Sequence, residues 1–123
     1  MRISLARLEN AVPALKQIVS CDKLKAKISF RLSYMIDSVE PALKNYGEKK
    51  LNLYKKYGEE QDGNITIKPE VIDTFQKELS DLMNEEANIF LPGISPEDIE
   101  EVEISAEKIG TIKDWLFGAE RKD

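Results

Sequence analysis

Residues 28–57, ISFRLSYMIDSVEPALKNYGEKKLNLYKKY, decide the fold. In them Ile28, Leu32, Met35, Val39, Ala42 and Tyr46 follow one another at steps of 4, 3, 4, 3 and 4, and the phase runs on through Leu53 or Tyr54 to Tyr57. This spacing draws one apolar stripe along one face of an α-helix. Asp22 stands where an N-cap is needed, and Gly58 where a left-handed residue would close the last turn. The spacing therefore predicts a helix of about 34 residues, roughly 51 Å long. Pro41 and Gly47 lie inside it; each can bend it, and Pro41 can split it in two.

Working outward toward the N-terminus, Leu5, Leu8, Val12, Leu15 and Val19 mark an amphipathic helix that Ser4 can cap. Pro13 inside it predicts a kink, or a late start near Asn10. On the other side, Gln61-Asp62-Gly63-Asn64 is turn chemistry, and Ile65-Thr66-Ile67 alternates as a short strand with both isoleucines on one face. Pro69 opens a third helix with Val71, Phe75, Leu79, Leu82 and Met83 as its stripe, fading near Asn88 after about 22 residues, roughly 33 Å. Ser95-Pro96-Glu97-Asp98 starts one further helical turn. Glu101-Val102-Glu103-Ile104 alternates as a strand, and Ser105 caps a last helix carrying Ile109, Ile112, Trp115 and Leu116, ending near Gly118, with Trp115 against the body.

The fold class expected is α+β, mainly α: a long helix packed antiparallel against shorter helices, with a small two- or three-stranded sheet from the segments around Ile65, Val102 and Arg2 to Leu5. The first and third helices, laid end to end, match the length of the second. An antiparallel second and third helix joined near Asn64 set residues whose numbers sum to about 128 opposite one another. Tyr46 then faces Leu82, Leu53 faces Phe75 and Lys50 faces Glu78. At 123 residues one domain over 1–118 is expected, with a charged, frayed tail at 119–123.

Charge is divided unevenly. Residues 1–57 carry twelve Lys/Arg against five Asp/Glu, and residues 58–123 carry six against eighteen, so the halves attract each other while the chain as a whole is at −5. The acidic surplus repels nucleic acid and membrane surfaces, so neither is expected as a direct partner. A single cysteine, Cys21, forms no internal disulfide, and no apolar run approaches the roughly 20 residues of a membrane span, which points to the cytoplasm. The chain has no histidine, the commonest general base and nitrogen ligand for metals. A non-enzyme without cofactor or metal is therefore expected.

Two groups of side chains are candidate contacts. Glu97, Asp98, Glu100, Glu101 and Glu103 are the densest carboxylates; they can meet a basic partner, hold a divalent cation or form a solvated edge, and no calcium-loop spacing is present. Lys49, Lys50, Lys55 and Lys56, interleaved with Tyr46, Tyr54 and Tyr57, can hold a phosphate-bearing ligand, or can pair with the acidic third helix while the tyrosines face the core. Arg31 is open in the same way. Cys21, without a histidine to activate it, reads as a small apolar residue.

The chain resembles a family of short, uncharacterised siphophage and prophage proteins of low-GC Gram-positive bacteria. The resemblance is carried by Leu8-Glu9-Asn10-Ala11-Val12-Pro13-Ala14-Leu15, by Lys56-Tyr57-Gly58-Glu59 with Asp62-Gly63-Asn64, and by Phe75-Gln76-Lys77-Glu78-Leu79 with Leu82. It transfers no site residue. It implies a phage protein working inside an infected bacterium, where the precedents are assembly helpers and small proteins that block host defences. The expected action is stoichiometric binding to a host or phage protein, most of all inhibition of a defence or nucleic-acid-handling protein. The alternatives are an assembly chaperone, or a homo-oligomer whose Lys/Tyr faces sequester a nucleotide signal.

Overall fold

A computed structural model describes residues 1–117. The architecture is α+β and mainly α, organised on one long helix with two small antiparallel sheets. Strand β1 (Arg2–Ser4) leads into α1 (Leu5–Val19), with the Ser4 side chain accepting from the Arg7 N–H. Pro13 neither delays nor divides α1. It lies on the exposed side, as does Glu9, whose carbonyl loses its donor, while Leu8, Ala11, Leu15 and Ile18 are buried on either side of it.

Helix α2 (Ala26–Tyr57) is unbroken for 32 residues, across Pro41 and Gly47. Both lie exposed, and the stripe of Ile28, Leu32, Met35, Val39 and Tyr46 is buried as the spacing requires. Its entry differs from expectation. Asp22 does not cap it; Lys25 does, through its backbone carbonyl, because residues 21–24 are spent on turning the chain and laying Leu24 against the core. At the exit, Gly58 is extended (φ −98, ψ 157) and begins β2 (Gly58–Gln61), which pairs with β3 (Asn64–Ile67). The two-residue loop between them has positive φ at Asp62 (50°) and Gly63 (81°), the conformation that suits the twist of a tight hairpin.

Helix α3 (Ile72–Met83) has 12 residues, about half the expected length. Asn84 ends it, and Glu86–Asn88 forms β4 instead, because β1 offers its edge there: Ile3 pairs with Ala87 and Arg2 with Asn88. Thus Arg2–Ser4 is in a sheet, but not with Ile65 or Val102, and the end-to-end tiling of α1 and α3 along α2 falls short. The hairpin and the chain beyond β4 make up the cover. Residues 101–104 form no strand; Val102 and Ile104 do turn inward against the core, so the alternation records burial without a ladder. A 3-10 turn at Pro96–Ile99 follows the loop after β4, and the final segment is two short helices, α4 (Ala106–Gly110) and α5 (Lys113–Leu116), with a break at Thr111 and Ile112. The expected stop at Gly118 and the tail at 119–123 lie outside the described residues.

The core has two parts. The larger joins Leu8, Leu15 and Ile18 of α1, the first half of the α2 stripe, Ile89, Ile94 and Ile99, and Ile112, Trp115 and Leu116, with Trp115 fully buried as its spacing predicted. The smaller joins Leu5, Tyr46 and Leu82, with Leu53 and Met83 packed against it. Helix α1 thus runs along α2 as far as Tyr46 and Lys50, the segment from Ile89 onward joins it over the first half, and α3 and the hairpin cover the end of α2.

Candidate partner-binding face

The Lys/Tyr group is consumed by the fold. Lys49 reaches Glu85 (3.5 Å), Lys50 reaches Glu9 of α1 (3.2 Å) and Lys56 reaches Glu78 of α3 (3.6 Å). The expected Lys50–Glu78 pair is therefore not formed. Helices α2 and α3 do run antiparallel with Tyr46 on Leu82, but Lys50 sits on the flank facing α1, so Glu78 is left to Lys56. Burial works to lower the Lys50 pKa, yet the hydrogen bond and charge of Glu9 prevail and raise it. Lys56 is also held above its ordinary value, by Tyr57 first and then by Glu78. Tyr54 and Tyr57 pack on Phe75, with ring centroids 5.2 and 6.2 Å away. Lys55 is exposed and, among the described residues, in no ion pair.

The acidic group is a solvated edge with one structural member. Asp98 Oδ2 accepts from the Ser95 N–H at 2.9 Å, closing the turn at Pro96–Ile99. That bond, with the nearby charges of Arg31 and Lys25, lowers its pKa. Glu97, Glu100, Glu101 and Glu103 are exposed; the Glu103 carbonyl accepts from the Gln17 side chain. Among the described residues no three Asp, Glu or Cys side chains are grouped to hold a metal ion. Arg31 spans from α2 to the Gly93 carbonyl (3.0 Å), pinning the loop after β4.

That loop completes an aromatic surface on the outer side of α2. Phe30 and Tyr34, four residues apart on the side of α2 opposite the buried stripe, are 65% and 61% exposed, and Phe90 beside them is 46% exposed. The Tyr34 and Phe90 rings meet at 5.9 Å between centroids. Phe90 is held rigidly: its N–H donates to Ser38 Oγ of α2 (2.9 Å), Ile89 exchanges backbone hydrogen bonds with Met1, and Ile89 and Ile94 on either side are buried. The signal was legible for two of the three rings, since Phe30 and Tyr34 fall outside the stripe of Ile28, Leu32 and Met35. Phe90 was not, because its neighbourhood depends on where a loop lands.

No family model, curated protein or solved structure matches the chain.

Proposed function

We propose that this chain is a non-catalytic protein that acts by stoichiometric binding to a protein partner through the outer face of α2. One observation carries the reading: Phe30 and Tyr34, one turn apart on α2, and Phe90, packed on Tyr34 from an anchored loop, are all exposed. Clustered exposed rings cost water contact and fix little of the fold, whereas rigid aromatic anchors are what dominate protein interfaces. Their preorganisation lowers the ordering cost of binding. The phage setting, inside the host cytoplasm with a defence or nucleic-acid-handling protein as the target, rests on the resemblance of residues 8–15, of 56–59 with 62–64, and of 75–79 with Leu82 to siphophage proteins; an assembly chaperone would use the same face. No described helix is long and apolar enough to cross a membrane. The nucleotide sponge is disfavoured because Lys49, Lys50 and Lys56 already meet carboxylates.

The test is affinity capture from a bacterium expressing the tagged chain, in parallel with Phe30→Glu. The expected result is one protein retained near one-to-one stoichiometry by the wild type and lost by the variant. Equal capture by a folded Phe30→Glu chain would move the partner to another face.

A further inference from the structure

The outer face of α2 is charged in a self-complementary way. Along it run Lys27, Phe30, Tyr34, Asp37 and Pro41, at steps of 3, 4, 3 and 4, and all five are exposed. Lys27 and Asp37 are in no ion pair among the described residues. If a second α2 is laid antiparallel on this stripe, with a two-fold axis at the level of Leu32, residues whose numbers sum to 64 lie opposite each other. Phe30 then packs on Tyr34 of the other copy twice, and Lys27 meets Asp37 of the other copy twice. A parallel arrangement would set Lys27 against Lys27 and Asp37 against Asp37. An isologous contact requires a patch complementary to itself, and this one is so in charge sign and in setting ring against ring.

From this register we infer that the face is covered by a second copy of the chain, in a two-fold dimer built on antiparallel α2 helices. The inference rests on the reading of this face as a binding surface and names one occupant for it. Lys27 and Asp37 are ten residues apart, roughly 15 Å along one helix, so they do not neutralise each other within a chain. The rings expose about 350 Å² per copy, taking about 200 Å² for a whole aromatic side chain. Two copies would bury about 700 Å² of ring surface, below the roughly 1,200 Å² at which stable specific interfaces begin, so the dimer is weak and reversible. A hetero-partner of the same face has to displace it.

Sedimentation equilibrium of the full chain from micromolar to millimolar concentration tests this. The mass should double reversibly across that range, and Phe30→Glu and Tyr34→Ser should each keep the chain monomeric. Lys27→Asp and Asp37→Lys should each weaken association at least about tenfold, since each turns two attractive contacts repulsive. The double reversal, Lys27→Asp with Asp37→Lys, should restore the wild-type dissociation constant to within a few-fold. A dimer that survives Phe30→Glu, or a double reversal as weak as either single change, overturns the inference. So does a wild type monomeric throughout; if its Tyr34 then responds to an acidic peptide or a single-stranded oligonucleotide, that ligand is the occupant. A monomer that still loses its captured partner on Phe30→Glu leaves the binding reading standing, whereas capture indifferent to Phe30 defeats that reading whatever the mass.

Discussion

Lys50 shows how far a single position can be read. Its place on the apolar phase of α2 was legible, and so was the consequence that its stem lies on the seam while its ammonium finds a carboxylate. Which carboxylate was not, because the flank of a helix that a neighbour occupies is set by packing rather than by spacing. A double-mutant cycle between Lys50→Met and Glu9→Gln should give a coupling of about 0.2 to 1 kcal/mol that shrinks as salt is raised. The same cycle with Glu78→Gln in place of Glu9→Gln should be additive; coupling there would restore the other register. Because the folded Lys50 pKa is raised, its stabilisation is complete below the unfolded value and is lost as pH rises through the folded one. Asp98 runs the opposite way. Its folded pKa is lowered, so its contribution is present above the unfolded value of about 3.9 and is lost as pH falls through the folded one. An NMR titration should place the Asp98 carboxyl midpoint below that value, with the Ser95 amide shifting at the same pH. A midpoint at or above it would mean that the Ser95 hydrogen bond is absent in solution.

Elements with a strong period were read correctly, and those held by their neighbours were not. The stripes of α1 and α2 survived Pro13, Pro41 and Gly47 because buried side chains on both sides of each outweigh one lost hydrogen bond or one flexible residue. The α3 stripe continues in sequence only to Met83, and nothing local announces that residues 86–88 pair with the N-terminal strand. Val102 and Ile104 taught the converse: alternation reports which side chains turn inward, and a ladder also needs a partner edge. Gly58 was placed correctly at the end of α2 for the wrong reason. It takes an extended conformation, and what it supplies is room: a Cβ there would lie 2.5 Å from the Tyr54 carbonyl oxygen and overlap the Ile65 side chain. Gly58→Ala should therefore destabilise by about 1–3 kcal/mol in urea unfolding, through overpacking at the helix-to-hairpin junction. Gly47→Ala, with nothing within 4 Å, should stabilise by about 0.5–1 kcal/mol. Equal effects of the two substitutions would contradict the junction.

The whole molecule reconciles its divided charge by folding the basic α1–α2 half against acidic residues, three of whose pairs, Lys49–Glu85, Lys56–Glu78 and Arg7–Asp114, cross between the halves. That much follows from the charge pattern. The binding face does not, because it is assembled from the back of α2 and a loop some sixty residues later, brought together by Ser38 and Arg31. That face is expected to be occupied when the protein works. Hydroxyl-radical footprinting tests this directly, comparing the dilute purified chain with the same chain in a bacterial lysate, with labelling normalised to the exposed Leu51 outside this face and the buried Trp115 as the unlabelled control. Phe30, Tyr34 and Phe90 should be oxidised readily in the dilute sample and protected together in the lysate, with Trp115 protected in both; three rings labelled equally in the two samples would contradict an occupied face.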